Sequence, residues 1–210
     1  MTEMYLLPIT EAARVPEPFG ERYFPRRMMR ARRFLRPEDR LRCIGAGALL
    51  HGLLGIREDE LRENAQLKPF APSGPHFNLS HSGQYILLAV DDGEIGADIE
   101  QLQSAHLDLA PRIFQPTELA WMREDPLPRF YTLWTLKESV MKQRGRGLAL
   151  APESFSVLPL LTGGAEIDGE RLYAAAGMWD GHAWAVCAAH PIPCLTPRTV
   201  TAEAVGAASK

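Results

Sequence analysis

Glu138 and Lys142 stand four residues apart in FYTLWTLKESVMKQRGRGL, residues 130 to 148, where Phe130, Leu133, Trp134, Leu136, Val140 and Met141 recur at helical spacing. Four residues on a helix is about one turn, so a carboxylate and an ammonium share one face. A plain ion pair on a solvated face meets the same spacing. Lysine usage tilts the choice, because the chain holds only Lys68, Lys137, Lys142 and Lys210 against nineteen arginines. Two lysines flanking a glutamate in one helix point to chemistry that needs a compact, tunable ammonium rather than a fixed guanidinium fork. A second acid pair lies in IGADIE, where strand alternation puts Asp98 and Glu100 on one face. Two carboxylates side by side repel unless a cation or base lies between them. That disposition suits Mg2+, which takes few carboxylates and leaves room for water and substrate phosphate; two solvated acids on an exposed strand are the plain alternative. Ser80 and His81, in HFNLSHS, offer hydroxyl and imidazole donors of the kind that contact phosphate. Nine arginines between Arg22 and Arg42 suit a phosphorylated ligand or nucleic acid.

The elements that must position these groups can be read in outline. Gly145 and Gly147 stop the 130–148 helix. Pro37, Glu38 and Asp39 start a second helix that runs to about Leu54, with proline in the first turn and acids at the positive end of the dipole. Gly45 and Gly47 in its apolar middle read as close-packing positions, since no strand precedes them and no GxGxxG pattern is met. The arginine run, where it is not a polyanion surface, reads as an amphipathic helix with Met28, Phe34 and Leu35 turned inward. Met4–Pro8 reads as a short strand. Tyr85–Val90 and Ile95–Glu100 read as a hairpin closed by Asp91-Asp92-Gly93-Glu94. Pro116–Met122 reads as a helix; Phe155–Pro159, Ala165–Asp168, Arg171–Met178 and Ala183–Ala189 read as strands, with a turn at Asp180-Gly181. Helix, strand, turn, strand thus occurs twice. The expected fold class is α+β, in two similar halves, residues 1–102 and 103–192, each a helix packed on a small, mainly antiparallel sheet. Residues 193–210 read as a mobile tail.

Composition narrows the classes. The chain has 210 residues, 46% of them hydrophobic, enough for one larger domain or two small ones closely joined. A net charge of -3 argues against a general polyanion binder. Cys43, Cys187 and Cys194 are odd in number, widely spaced and in no ligand pattern, as expected of reduced thiols in a cytoplasmic protein. MTEMYLLPIT lacks the features of a signal peptide, and no apolar run reaches the length of a membrane span.

NLSHS at 78–82, GADIE at 96–100 and WTLKESVMKQRGRGL at 134–148, in that order and spacing, resemble the 4'-phosphopantetheinyl transferases of the longer, monomeric Sfp type. The resemblance extends over most of residues 21–190. It implies a pseudo-dimer of two α+β halves with the active site in the cleft between them. The activity it implies is transfer of the 4'-phosphopantetheine arm of coenzyme A to a serine of an acyl or peptidyl carrier protein, releasing 3',5'-ADP. By the same resemblance, Asp98, Glu100 and Glu138 hold Mg2+, and Glu138 and Lys142 are catalytic. Arg27, Arg30, Arg42, Lys68, Ser80, His81, Asp98 and Lys142 are its coenzyme A contacts. Leu67 stands where the family commonly has glycine before a lysine-proline pair. The acceptor of the serine proton stays open between Glu138, a metal-bound water and Lys142. The implied partners are coenzyme A and a carrier protein, with no nucleic acid and no membrane, and the implied state is a monomer. The competing reading is a non-catalytic, basic-faced module that binds RNA or a carrier protein. It accounts for the arginines but leaves three acids without a role, and only Tyr23, Phe24 and Phe34 interleave the basic run where a base-stacking platform needs aromatics.

Overall fold

A computed structural model describes residues 1–206, the side chains of residues 105 and 148 excepted. In chain order it forms β1 (Glu3–Pro8), α1 (Ile9–Ala12), α2 (Glu17–Tyr23), α3 (Pro25–Ala31) and α4 (Pro37–Leu54), then β2 (Arg62–Glu63), β3 (Pro69–Phe70), β4 (His76–Ser82), β5 (Tyr85–Asp91) and β6 (Ile95–Gln101). It continues through α5 (Ala110–Ile113), α6 (Pro116–Met122), α7 (Pro126–Gln143), β7 (Gly164–Ile167), β8 (Glu170–Trp179), β9 (His182–Ala188) and β10 (Arg198–Thr199). Two four-stranded sheets result, ordered β10-β1-β5-β4 and β6-β9-β8-β7. α4 covers the first sheet and α7 the second. The architecture is therefore the expected α+β one in two similar halves.

Three apolar layers hold it. Each sheet packs one face on its own helices; the other faces meet each other, where Met4, Leu6, Leu87 and Ala89 lie against Ile95, Ala97, Ile99, Trp184 and Val186. Strands buried on both faces read as continuous apolar runs, which is why Ile86-Leu87-Leu88-Ala89 shows no polar alternation. α4 packs closely because Gly45 and Gly47 carry no Cβ: one at 45 would stand 2.9 Å from Ile86 of the sheet, and one at 47 would stand 2.6 Å from Phe24, between α2 and α3.

Several expectations are corrected. β5 and β6 do not form a hairpin: β5 is already paired on both edges, with β1 and β4, and β6 pairs with β9. Asp91–Glu94 is thus a crossing between sheets, and β6 belongs to the second sheet. The expected tail is seated as far as residue 206. Arg198 and Thr199 run parallel to Tyr5 and Leu6, and Val200, Ala202 and Val205 are buried. Residues 207–210 lie outside the described residues. Phe155–Pro159 is no strand; it is bracketed by 3-10 turns at Pro152–Ser154 and Leu158–Leu161, each carrying a proline that cannot donate to a ladder. The arginine run is broken by Pro25 into α2 and α3, and Leu35 is 94% exposed rather than turned inward.

The rotation of α7 is fixed by a buried ion pair. Lys137 Nζ lies 2.9 Å from Glu118 Oε2, and both side chains are 0% exposed. The ammonium also donates to the carbonyls of Pro152 and Phe155, at 2.8 and 2.6 Å, while Glu118 accepts the main-chain N–H groups of Gln115 and Val157, both at 2.8 Å. Every donor is used, so Lys137 is an anchor, and the expectation that both lysines of this helix serve chemistry fails for it. Its neighbour Glu138 lies within electrostatic reach of Asp98 on β6 and of Lys142. Lys137→Met should cost about 3–5 kcal/mol in urea denaturation, because Glu118 is then a buried charge without a partner. Adding Glu118→Gln should recover part of that loss.

A smaller clasp closes the crossing. Asp91, with its side chain 0% exposed, accepts from the Thr2 hydroxyl, from the Gly93 N–H at 3.1 Å and from His190 Nε2 at 2.9 Å. The hydrogen bond to Asp91 raises the pKa of His190. A raised imidazole stabilises fully below its unfolded value, about 6.5, and the contribution disappears as pH climbs through the folded value. His190→Gln should therefore be less stable than the native chain by about 1 kcal/mol at pH 5.5, the gap narrowing toward pH 9. A gap independent of pH would contradict the clasp.

Candidate active site at the seam between the sheets

β4 and β6 are facing edge strands of two different sheets, and side chains rather than a ladder join them. Asn78 Oδ1 accepts the Ala97 N–H at 2.9 Å. Ser80 Oγ donates to Asp98 Oδ1 at 2.7 Å. Ser82 Oγ donates to Glu100 Oε2 at 2.8 Å and accepts the Gln101 N–H at 3.1 Å. The two-residue period of a strand places Asn78, Ser80 and Ser82 on one side of β4, and Asp98 and Glu100 on one side of β6.

α7 closes the third side. A Cβ at Gly96 would stand 1.9 Å from the Ser139 carbonyl oxygen and 2.3 Å from the Gln143 nitrogen, so only glycine lets the helix backbone lie on this strand. Lys142 Nζ then reaches Asp98 Oδ1 at 2.6 Å and Ser80 Oγ at 3.2 Å. The helix ends as the glycines require. Gly145 has φ 60°, its N–H bonds the Lys142 carbonyl at 3.1 Å, and the Arg146 N–H bonds the Met141 carbonyl at 3.2 Å.

The electrostatics follow from three acids around one lysine. Burial lifts Glu100 to about 7, with Asp98 adding to it and the Ser82 hydroxyl pulling the other way. Burial also raises Glu138; Lys142 opposes the shift and Asp98 adds to it. Burial alone would lower Lys142, but Asp98, then Glu138 and Glu100, raise it on balance, so it is a cation at neutral pH. Oδ2 of Asp98 is buried with no hydrogen-bond partner. Among the described residues no three of His, Cys, Asp and Glu are drawn together tightly enough to make a ready-formed metal cluster. The donor set nevertheless suits a hard divalent cation: carboxylate oxygens, one of them orphaned and two of the groups lifted by burial and like charge.

The expected ligand contacts spread out from this centre. Arg42, in the second turn of α4, donates from Nε and Nη2 to the Gly83 carbonyl, at 3.1 and 2.6 Å, and from Nη1 to Asp39 at 2.6 Å. Desolvation, then the nearby Arg42 and Lys142 cations, lower the pKa of His81. Arg27 and Arg30 line a cavity of about 490 Å³ together with Arg26 and Arg62, which the sequence did not single out. Lys68 does not reach the acids; it donates to Glu94 Oε2 at 2.7 Å and to the Ile95 carbonyl at 3.0 Å, at the start of β6. Its turn is built by Asn64, whose Oδ1 accepts the Lys68 N–H at 2.9 Å and whose Nδ2 touches the Gly145 carbonyl at 3.5 Å. Leu67 in that turn has φ 62°, the left-handed region that favours glycine, so the departure from glycine adds strain of about 1–2 kcal/mol but keeps the turn. Within the basic run Arg32 pairs with Glu17 and Glu21 and Arg42 with Asp39. The Tyr23 ring stacks on His51 at 3.9 Å, so that ring already has one face covered.

The sequence profile of the 4'-phosphopantetheinyl transferase superfamily matches residues 94–189, a segment that begins where the chain crosses to the second sheet. The chain is 35% identical to 4'-phosphopantetheinyl transferase Sfp of Bacillus subtilis (strain 168), across 80% of this chain and 82% of that one. It is 42% identical to a second 4'-phosphopantetheinyl transferase of Bacillus subtilis, across 60% and 62% of the two chains. Similarity to 4'-phosphopantetheinyl transferase AcpT of Salmonella typhimurium (strain LT2) is 36% identity across 68% and 73%. Among the described residues no helix is long and apolar enough to cross a membrane.

Gly96→Ala is the sharpest test of the three-element joint. An added methyl against helix backbone has no flexible side chain to displace, so α7 must move away from β6. The variant should lose about 1–3 kcal/mol or more of stability in denaturant titration, and with it transfer activity. A native-like midpoint with full activity would show that the helix does not rest on this strand.

Proposed function

The chain belongs to the 4'-phosphopantetheinyl transferase superfamily, and from that premise we propose that Asp98, Glu100, Glu138 and Lys142 carry a Mg2+-dependent transfer of the coenzyme A arm to a carrier-protein serine. The observation that carries the assignment is the meeting of Lys142 and Ser80 at Asp98 Oδ1, 2.6 and 2.7 Å away. It sets a cation and three acids at the junction of the two halves.

The reaction joins the serine oxygen to the β-phosphorus of coenzyme A and breaks the bond from that phosphorus to the bridging oxygen; 3',5'-ADP leaves and the serine proton passes to a base. Such a transfer is catalysed by positioning and by stabilising charge on the phosphate oxygens. Mg2+ held by Asp98, Glu100 and Glu138 would lower the charge of the pyrophosphate and favour departure of 3',5'-ADP. Lys142, protonated beside Asp98, donates to the phosphate oxygens rather than accepting a proton. Glu138, one turn away and raised by burial, is the protein group we assign to take the serine proton. Arg42 is assigned to the 3'-phosphate, Arg27 and Arg30, which line one cavity with Arg26 and Arg62, offer further guanidinium forks, and Ser80 with His81 is assigned to the phosphate and ribose. Ser80 holds Asp98, and Lys68 fixes the start of β6. The carrier protein supplies its serine at the open side of the seam, with the chain acting as a monomer in the cytoplasm, away from nucleic acid and membrane.

Steady-state kinetics of two variants test this reading. Lys142→Ala should lower kcat by about 10²-fold or more while changing coenzyme A affinity far less; equal losses would reduce Lys142 to a binding residue. Asp98→Ala should abolish transfer, and a variant that keeps full activity with native Mg2+ dependence would remove Asp98 from the metal site.

A further inference from the structure

Ser82 touches neither Asp98 nor Lys142, yet its one hydroxyl is spent entirely across the seam. The Gln101 N–H fills a lone pair of Oγ at 3.1 Å, and the hydroxyl hydrogen goes to Glu100 Oε2 at 2.8 Å. Among the described residues Ser82 is the sole hydrogen-bond partner of the Glu100 side chain, and the other carboxylate oxygen, Oε1, makes no hydrogen bond. Two residues earlier Ser80 treats Asp98 in the same way: Oδ1 is tied down, and Oδ2 is left without a partner. The strand period therefore gives each of two neighbouring acids one fastened oxygen and one free oxygen.

We propose that Ser82 is a positioning residue for the metal site, orienting Glu100 so that Oε1 faces the divalent cation held with Asp98. The inference rests on the metal assignment made under the proposed function. A carboxylate that is free to rotate must lose that freedom on binding a cation; one already fastened at its second oxygen does not, and groups that orient a metal ligand commonly govern affinity by 10–100-fold. The competing role is purely structural: Ser82 would only satisfy the Gln101 N–H and hold two sheet edges together. That role predicts lost stability without a change in cation affinity of the folded protein.

The test is Mn2+ titration of the full chain, with free Mn2+ read by electron paramagnetic resonance, on native protein, Ser82→Ala and Ser82→Thr. Metal-free coenzyme A binding is measured alongside. Ser82→Ala should bind Mn2+ about tenfold or more weakly, Ser82→Thr should stay within about twofold of native, and coenzyme A binding should be alike in all three. A folded Ser82→Ala with native Mn2+ affinity would overturn the inference and leave the metal assignment standing. Failure of the native chain to bind Mn2+ would overturn the metal assignment, and this inference with it. Should Ser82→Ala not fold, Ser82→Cys takes its place: its weaker donor should lower Mn2+ affinity, and native affinity would again refute the positioning role.

Discussion

Oδ1 of Asp98 receives a hydroxyl from β4 and an ammonium from α7, while its own strand belongs to the second sheet. Three elements from two halves are thus registered on one atom, in a place where burial magnifies every charge. Glu100 and Glu138 are close enough to Asp98 and to Lys142 for each to shift another's protonation. Without Lys142 the three acids would repel across a partly buried gap. With it, their like charges are offset by one cation.

Much of the remaining structure serves to keep that joint in register. The Glu118–Lys137 pair sets the rotation of α7, Gly96 sets its height above β6, and Gly145 ends it where Asn64 can reach the Gly145 carbonyl. The shared apolar layer between the sheets, with Leu87 and Ala89 on one side and Ala97 and Ile99 on the other, brings the two bare edges together. β4 and β6 then meet through short polar side chains. Asn78, Ser80 and Ser82 are small enough to span the gap and polar enough to satisfy the N–H groups of Ala97 and Gln101. Longer side chains here would part the edges, and apolar ones would leave those N–H groups without partners.

The sequence disclosed local periodicity and concealed partnership. The four-residue spacing of Glu138 and Lys142, the alternation of Asp98 and Glu100 and the helix from Pro37 to Leu54 were legible because each depends on neighbours within one element. Asp91-Asp92-Gly93-Glu94 misled, since the same turn residues serve a hairpin and a crossing between sheets; only the double pairing of β5 decides. Lys137 misled for another reason. Its rarity in an arginine-rich chain was a true signal of selection for a compact ammonium, but the partner that gives it a structural role, Glu118, lies nineteen residues away in another helix. Ser82 was within reach, because it repeats the position of Ser80 at strand period, although nothing in the sequence showed that β6 would lie opposite.

The most direct measurement is the intact mass of a purified apo carrier protein after incubation with this chain, coenzyme A and Mg2+. A gain of one phosphopantetheine arm, lost when EDTA is added or when Asp98→Asn replaces the native chain, is the expected result. An unmodified carrier across fatty-acid, polyketide and nonribosomal-peptide types, with coenzyme A still bound by the native chain, would contradict transfer at the seam.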